Sequence, residues 1–270
     1  MEYTMQDVTL LGAGKLGSAL LRGWQRAGRL PGRAVTKSEA TAGMVRECFR
    51  IPAGTSIDEA LVGTRTIIVA VKPHQWPEVA GTLEAWGDGG GTLVSVMAGV
   101  DCDALRRRVS DRVDVVRAMP NVLCSFNEGV TAVADGAPAH VRALFAPLGT
   151  VLDVPEGSLD AFTALTASAP ALVLRLMEGF TDAALALGLP ADSAQAVAAQ
   201  VFRSTGAWLA QSGEHPAVLR KRITTPGGCT IAGLMELERA RSAVGFADAL
   251  LATARRASEL GATKSVLPKS

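Results

Sequence analysis

The sequence predicts an α/β protein in which a doubly wound, mostly parallel sheet of the Rossmann type precedes an all-α part. A glycine-rich turn near the start of the chain joins a short apolar run to a helical pattern. Short apolar runs then alternate with helical stretches up to about residue 154, and helical periodicity alone follows residue 158. We therefore predict two domains, one over residues 1–156 and a helical one over residues 157–270.

The glycine-rich turn has the pattern G-x-G-x-x-G. Its residues are Gly12, Ala13, Gly14, Lys15, Leu16 and Gly17. In dinucleotide-binding folds the first glycine permits the tight turn, the second lets the backbone approach a pyrophosphate, and the third lets the helix lie close to the sheet. N–H groups at the start of the helix then face the phosphates. We predict that these residues bind a dinucleotide, and the alternative is a plain turn into a buried helix.

The end of the second predicted strand bears on the choice of cofactor. NAD-binding folds place Asp or Glu there to hold the ribose hydroxyls, whereas this chain has Thr36, Lys37 and Ser38. A cation with two hydroxyls suits the 2′-phosphate of NADP. The sequence favours NADPH, with NADH as the alternative because Lys37 can be an ordinary surface lysine and Glu39 lies close by.

A continuous apolar run from Thr66 predicts a buried parallel strand that ends at Val71, Lys72 and Pro73. Open α/β sheets bind ligands in the crevice outside the carboxyl ends of their strands. We therefore expect these three residues beside the cofactor. The alternative for Lys72 is that it only caps its own strand.

Composition argues against several kinds of function. The 27 basic and 26 acidic residues give a formal net charge of +1, which offers no electrostatic basis for binding nucleic acid. The four cysteines and three histidines are scattered without metal-ligand spacing, so no metal site is predicted. Unpaired thiols and no visible signal peptide favour the cytoplasm. The most apolar segment, residues 161–174, is too short for a bilayer, so no membrane contact is predicted.

The helical part contains a loop rich in glycine and hydroxyl groups, directly before a predicted helix. Its key residues are Thr225, Gly227, Gly228, Cys229 and Thr230. Backbone N–H groups at such a helix start can hold a carboxylate, and an ordinary capped loop is the alternative. Further on, a stripe of small residues would allow close packing, either within the chain or against a second subunit. The stripe consists of Val244, Ala247, Leu251 and Ala254.

Together these motifs resemble the pyrroline-5-carboxylate reductase family over nearly the whole chain. The matching segments are Gly12–Gly17, Val71–Pro73, Ser95–Val100, Arg117–Asn121 and Thr225–Ile231, and the last is similar to the family's S-P-G-G-x-T-I signature. The resemblance implies a Rossmann domain followed by a helical domain that dimerises, often building larger rings. It also implies hydride transfer from NAD(P)H to the C=N carbon of 1-pyrroline-5-carboxylate, a cyclic imino acid, in the last step of proline biosynthesis.

The resemblance also implies roles for individual residues. The backbone of Gly227–Thr230 holds the substrate carboxylate, the Thr225 hydroxyl assists, and Thr230 is the catalytic candidate that orients the imine nitrogen. Asn121 lies on the cofactor side, while Ser168 and Pro170 shape the nicotinamide side of the cleft.

Two departures from the family pattern bear on the substrate. Thr166–Leu172 reads T-A-S-A-P-A-L where the family usually has S-G-S-G-P-A-Y, and Val122–Cys124 stands where T-P-A is usual. A related cyclic imine such as a piperideine carboxylate is therefore an alternative substrate. A hydroxyacid dehydrogenase would need a lysine or histidine acid that we do not find in a suitable place. A non-catalytic NADP-binding regulator is the alternative from a different class.

Overall fold

The computed structural model describes residues 4–83, 86 and 90–264. Its contacts divide the chain into two compact units. One unit comprises the described residues up to Ala167 together with those from Ala257 onward, and the other is Ser168–Arg256. The boundary predicted at 156/157 falls inside the first unit, because the start of a long helix packs on the sheet, and it stays a prediction. Residues 1–3 and 265–270 of the predicted domains lie outside the described residues.

The first unit is built on a sheet of eight strands among the described residues. They are β1 (Val8–Leu11), β2 (Arg33–Val35), β3 (Ala53–Gly54), β4 (Thr66–Val69), β5 (Gly91–Ser95), β6 (Val113–Pro120), β7 (Gly129–Ala134) and β8 (Gly149–Val154). Their order is β3-β2-β1-β4-β5-β6-β7-β8, and every neighbouring pair is parallel except β6 and β7. The predicted Rossmann-type sheet is thereby confirmed.

Helices follow most of the strands, and a purely helical region ends the described chain. They are α1 (Lys15–Arg26), α2 (Glu39–Phe49), α3 (Ile57–Leu61), α4 (Trp76–Leu83), α5 (Cys102–Arg106), α6 (Ala139–Phe145), α7 (Leu159–Ala186), α8 (Ala191–Ser212), α9 (Pro216–Arg222), α10 (Cys229–Arg239) and α11 (Ser242–Lys264). The helical second part that the sequence predicts is also confirmed.

Apolar side chains cover both faces of the sheet, as a doubly wound fold requires. Because side chains alternate along a strand, neighbours such as Leu10 and Leu11 enter different clusters. Leu10 packs in a cluster with Trp24 of α1, whereas Leu11 packs in a cluster with Leu83 of α4. These central strands are buried on both sides, which explains their continuous apolar sequence.

One face of β6 holds the first turns of α7. Arg117, Met119 and Asn121 stand two residues apart and therefore share a face of the extended chain. Arg117 donates to Asp160 at 2.9 Å, and Met119 belongs to the same buried cluster as Leu159. The start of α7 is thus tied to the sheet by an ion pair and by an apolar contact.

The second unit buries little of its apolar surface. Of its described side chains, those that are buried belong to Ala184, Ala194, Ala198 and Leu219. Large apolar side chains are exposed along all of its helices, as Leu174, Leu209 and Met235 illustrate, and Leu187 is 81% exposed. Exposed apolar area of this extent in a soluble protein is typical of an association surface.

The helical stretch Glu156–Ala186, which contains α7, is long and apolar enough to cross a bilayer by length and composition alone, at 31 residues. The sequence-based expectation from residues 161–174 is wrong about length, because the helix extends beyond that segment at both ends. One helix of this kind is weak evidence for a membrane, since core and interface helices have the same composition. The absence of membrane contact stays a prediction.

Candidate active site

The glycine-rich turn is shaped by two close backbone approaches. Gly12 has φ = 100°, and a Cβ added there would lie 2.8 Å from the carbonyl oxygen of Ala70. A Cβ added at Gly17 would lie 2.0 Å from the carbonyl oxygen of Gly12. Neither position accepts a side chain without moving backbone. The start of α1 therefore lies directly against the end of β1.

Gly14 has a different environment from the other two glycines. It is the N-cap of α1, no side chain caps the helix there, and an added Cβ would have no described atom within 4 Å. Gly14 also lines a pocket, so the space beside it belongs to that pocket. The first N–H groups of α1 are consequently free to bind an anion, as a pyrophosphate requires.

The pocket has a volume of about 480 Å³ and opens at the carboxyl ends of β1, β2 and β4. It is lined by Leu11, Gly12, Ala13, Gly14, Val35, Thr36, Lys37, Thr41, Thr55, Ile57, Ala70, Val71, Lys72, Gln75, Glu78, Val79 and Thr82. This is the crevice in which open α/β sheets bind nucleotides. Its residues fit a dinucleotide, because a backbone turn without side chains leads into a helix start that no side chain caps.

The end of β2 contributes to the pocket as predicted for Thr36 and Lys37, but Ser38 is not part of the lining. The Ser38 hydroxyl instead caps α2 by accepting a hydrogen bond from the backbone N–H of Thr41 at 3.3 Å. The Thr36 hydroxyl donates to the Ser38 carbonyl oxygen at 2.9 Å. Sequence reasoning missed the hydroxyls of Thr41 and Thr55, which do line the pocket.

Glu39, which left the cofactor preference open, is directed elsewhere. Its carboxylate forms an ion pair with Arg46, and Arg46 also donates to the carbonyl oxygen of Ala53. Glu39 is absent from the lining, in which the described carboxylate is that of Glu78 on α4. Lys37 therefore stands at this end of the pocket without an acidic residue from β2 or α2 beside it in the lining.

The other predicted cofactor residues divide between the pocket and its supports. Val71 and Lys72 line the pocket, and the backbone N–H of Lys72 is fixed by the Gln75 side chain at 3.1 Å. Pro73 is outside the lining and begins a 3-10 turn. Lys15, Leu16 and Gly17 are also outside the lining and form the first turn of α1. This turn therefore contributes to nucleotide binding through its backbone N–H groups more than through the side chains of Lys15 and Leu16.

Asn121, predicted on the cofactor side, is not in the lining of this pocket. It is 5% exposed, and both ends of its amide are in use. Its Nδ2 donates to the carbonyl oxygen of Thr166 at 3.3 Å, and its Oδ1 accepts from the backbone N–H of Val130 at 3.2 Å. These two hydrogen bonds give Asn121 a structural role. Its contact with the cofactor stays a prediction, which this arrangement does not support.

The loop of the second unit has the geometry of an anion-binding turn. Gly227 has φ = 68°, which a residue with a side chain rarely adopts. Gly228 is the N-cap of α10 and no side chain caps that helix. A Cβ added at Gly228 would lie 2.4 Å from the Thr225 hydroxyl oxygen. The backbone conformation at Gly227 therefore favours glycine, a side chain at Gly228 would displace the Thr225 hydroxyl, and the N–H groups of Cys229 and Thr230 begin the helix in an exposed position.

A cavity of about 440 Å³ lies within the second unit beside this loop. It is lined by Arg220, Lys221, Thr224, Ile231, Leu234, Met235, Glu238 and Arg239. Thr224 and Ile231 flank the predicted substrate residues, while Thr225–Thr230 themselves are outside its lining. Within this unit, then, the loop presents its N–H groups to the surface rather than into a closed pocket.

Two thiols can be set aside as nucleophiles. Burial raises the pKa of Cys124 to about 12, and burial together with the nearby Glu156 raises the pKa of Cys102 to about 11. Both are therefore neutral thiols at physiological pH. Among the described residues, no group of three or more His, Cys, Asp and Glu side chains is placed to hold a metal ion.

The glycine turn and the pocket at the carboxyl edge of a parallel sheet define a dinucleotide-binding protein of the Rossmann class. Residues 7–99 match the family described as NADP oxidoreductase, coenzyme F420-dependent, and residues 156–260 match that described as pyrroline-5-carboxylate reductase dimerisation. The pyrroline-5-carboxylate reductase of Thermus thermophilus is 34% identical over 262 residues, which cover 94% of this chain and 98% of that protein. The chain belongs to the pyrroline-5-carboxylate reductase family and is an oxidoreductase.

Solved structures agree with this assignment. The 1-pyrroline-5-carboxylate reductase of Streptococcus pyogenes has a TM-score of 0.80 at 26% identity, over 93% of this chain and 98% of that one. The pyrroline carboxylate reductase of Plasmodium falciparum, solved with NADP bound, has the same fold with a TM-score of 0.80 at 22% identity, over 94% of this chain and 97% of that one. The match of residues 7–99 to an NADP oxidoreductase family supports the use of NAD(P)H by this chain.

Alanine substitutions at Gly14 and Gly17 distinguish the two roles of the turn, which are to bind the nucleotide and to let α1 pack against β1. Gly14→Ala adds a methyl group to the pocket and to nothing else, so we expect NADPH affinity to fall at least about tenfold while the free energy of unfolding changes by less than about 0.5 kcal/mol. Gly17→Ala pushes α1 off β1 and should destabilise the fold by about 1–3 kcal/mol. Nucleotide titration and thermal melting measure both effects.

Gly81→Ala is the matched control, because Gly81 also has no described atom within 4 Å of an added Cβ and lies outside the pocket lining. It should leave affinity near that of the parent and raise the melting temperature slightly, because alanine is favoured over glycine inside a helix such as α4. Unchanged NADPH affinity in Gly14→Ala would mean that the pyrophosphate does not bind at the turn.

Proposed function

We propose that this protein reduces 1-pyrroline-5-carboxylate to L-proline with NADPH as the hydride donor. The observation that carries the proposal is that one chain, alike to its relatives along nearly its whole length, has both the nucleotide pocket and the Thr225–Thr230 loop. A non-catalytic regulator would have no need for a second, strained anion-binding loop.

Imine reduction requires the protein mainly to orient the substrate relative to the cofactor. When bound, the dihydronicotinamide supplies a hydride, which forms the new C–H bond as the C=N π electrons move to nitrogen. The substrate nitrogen is already protonated as an iminium, so no strong acid is required. Holding the imine carbon in line with the hydride donor is the larger part of catalysis.

The loop residues have distinct roles in this proposal. The N–H groups of Cys229 and Thr230 and the positive end of α10 hold the substrate carboxylate, since the Gly228 N–H already donates to the Thr225 carbonyl oxygen at 3.1 Å. The Thr225 hydroxyl lies close enough to Gly228 to add a donor. The Thr230 hydroxyl orients the imine nitrogen. A threonine hydroxyl is too weak an acid to protonate that nitrogen, so its effect is positional.

The direct test is an assay of the purified protein with NADPH and two imines, the five-membered pyrroline and the six-membered piperideine carboxylate. We propose faster turnover of the five-membered ring, with L-proline as the product. The departures at Thr166–Leu172 and Val122–Cys124 make the six-membered ring the second candidate. If neither imine oxidises NADPH, the proposed activity is excluded.

Preference for NADPH over NADH rests on the end of β2. Lys37 lines the pocket together with Thr36, Thr41 and Thr55, and Glu39 is engaged by Arg46. The Thr36 hydroxyl already donates to the Ser38 carbonyl oxygen, so Thr41 and Thr55 are the candidates for a hydroxyl donor. A cation with hydroxyl donors complements the 2′-phosphate of NADPH, whereas NADH would gain most from a carboxylate at this position.

Lys37→Glu therefore tests the preference. We expect the KM for NADPH to rise roughly ten- to a hundredfold, the equivalent of a lost charge-assisted hydrogen bond, and the KM for NADH to stay the same or fall, so that the preference narrows or reverses. Arg29→Glu makes the same change of charge at an exposed position outside the pocket lining and serves as the control. Equal kinetic constants for NADPH and NADH in the parent protein would contradict the assignment.

The Thr225–Thr230 loop is tested by two alanine variants. Thr230→Ala should lower kcat/KM roughly ten- to a hundredfold with NADPH affinity unchanged, because one charge-assisted hydrogen bond is lost. Thr225→Ala should mainly raise the KM for the imine. If the loop serves only to begin α10, melting temperature will fall instead and kcat/KM per folded molecule will not change.

We propose further that the helical part forms a dimer, with rings of dimers as a higher assembly. The sparse core of the second unit and the match of residues 156–260 to a dimerisation family support this. The stripe on α11 is exposed in the single chain: Val244 is 47% and Leu251 57% exposed. A second subunit is the occupant that would cover it.

The unpaired state of Cys48, Cys102, Cys124 and Cys229 supports the predicted cytoplasmic location.

Ala247→Arg tests the interface. Ala247 is exposed in the single chain, so a charge there leaves the chain's own core intact and is costly only where a partner buries it. We expect loss of the dimer in sedimentation velocity at micromolar concentration. Ala252→Arg is the control, about 140° away around α11 and also exposed, and should remain dimeric. A parent protein that sediments as a monomer would exclude the proposal.

A further inference from the structure

Pro170 lies inside the long helix α7 and leaves one backbone carbonyl group without its usual hydrogen-bond donor. Pro170 has no backbone N–H, so the hydrogen bond that residue 170 would donate to the carbonyl oxygen of Thr166 cannot form. The proline ring also crowds that carbonyl. Without another donor, Thr166 would keep an unsatisfied acceptor in a part-buried place, which is unfavourable.

Asn121 supplies the missing donor. Its Nδ2 lies 3.3 Å from the Thr166 carbonyl oxygen. Its Oδ1 accepts from the backbone N–H of Val130 at 3.2 Å, which fixes the orientation of the amide, since one partner is a donor and the other an acceptor. The carboxamide satisfies both partners, whereas a carboxylate cannot donate and an apolar group can do neither.

The place of this contact in the chain gives it a further effect. Asn121 follows β6, whose Arg117 and Met119 hold the start of α7 on the same face of the chain. Further along α7, the carbonyl oxygen of Thr166 accepts the hydrogen bond from Asn121. Ala167, directly after it, is the last residue of α7 in the first unit. Asn121 therefore holds the end of the α7 segment that is docked on the sheet, directly before Ser168 and Pro170.

We infer that Asn121 is a positioning residue, which replaces the helix hydrogen bond that Pro170 removes and so fixes the turn of α7 that carries Ser168 and Pro170. The inference rests on the proposed function and on the role that the family resemblance implies for Ser168 and Pro170, which is to shape the nicotinamide side of the cleft. Asn121 then acts on hydride transfer through α7 rather than by touching the cofactor.

The test is a double-mutant cycle with a built-in rescue. Asn121→Ala leaves the Thr166 carbonyl without its donor, whereas Pro170→Ala restores a backbone N–H that can bond that carbonyl within the helix. We expect kcat with 1-pyrroline-5-carboxylate to fall about tenfold in Asn121→Ala, with the NADPH dissociation constant within about twofold of the parent. Pro170→Ala alone is the reference for the double variant, because Pro170 itself belongs to the turn that shapes the nicotinamide side. Adding Asn121→Ala to Pro170→Ala should lower kcat by less than about twofold, against about tenfold in the parent.

Asn127→Ala is the matched control. Asn127 is also part-buried near the same strands, and its Nδ2 donates to the carbonyl oxygens of Gly23 and Pro147, at 3.0 and 2.6 Å, rather than to α7. Its loss should lower the melting temperature, and Pro170→Ala should not restore it. Rescue that is specific to Asn121 distinguishes positioning of α7 from general stability.

Each remaining result decides the matter. A raised NADPH dissociation constant in Asn121→Ala without rescue would make Asn121 a cofactor ligand and overturn the inference, as would an equal fold loss of kcat from Asn121→Ala in the parent and in the Pro170→Ala background. If Asn121→Ala does not fold and the double variant does, the inference is supported. Hydrogen exchange of the peptide around residues 166–172 follows the same cycle without any substrate. A parent protein that lacks imine reductase activity would therefore refute the proposed function, and the exchange cycle would still decide the role of Asn121.

Discussion

The contact on which this structure depends most is the approach of α1 to the end of β1. Gly17 faces the carbonyl oxygen of Gly12 at a distance that excludes any Cβ, and Gly12 faces Ala70 at the end of β4 in the same way. These contacts set the helix start beside two strand ends and leave Gly14 open to the pocket. Binding of a pyrophosphate by backbone N–H groups follows from that placement, since α1 has no side-chain cap of its own.

Each of the two units contains a helix start that no side chain caps, α1 in the first and α10 in the second, but the surroundings of the two differ. The first unit is a buried sheet with apolar clusters on both faces, so its glycine turn sits on a rigid support. The second unit buries few side chains, and its Thr225–Thr230 loop begins an exposed helix. In the proposed reaction this loop holds a small carboxylate in a fixed geometry, which needs comparable support. Assembly of the helical part is the physical means of supplying it that fits its exposed apolar faces.

Much of this architecture could be predicted from the sequence, because period and spacing encode it directly. The glycine turn, the continuous apolar strands and the helical second half are local patterns, and they specify the Rossmann-type sheet and the pocket residues Thr36, Lys37, Val71 and Lys72. The sequence did not assign the placement of two further residues, for different reasons. Ser38 caps a helix instead of facing the pocket, and Thr41 enters it one turn later. The partners of Asn121 are nine and 45 positions away, so no spacing rule could assign its amide.

The central claim is that hydride passes from a nicotinamide cofactor to the imine carbon of 1-pyrroline-5-carboxylate on this protein. Isotope transfer tests it most directly. NADPH deuterated at C4 on the transferred face, incubated with the purified protein and the imine, should give L-proline one mass unit heavier with the label at C5, and NADPH labelled on the other face should give unlabelled proline. Proline that carries no deuterium from either cofactor, or no proline at all, would contradict the account.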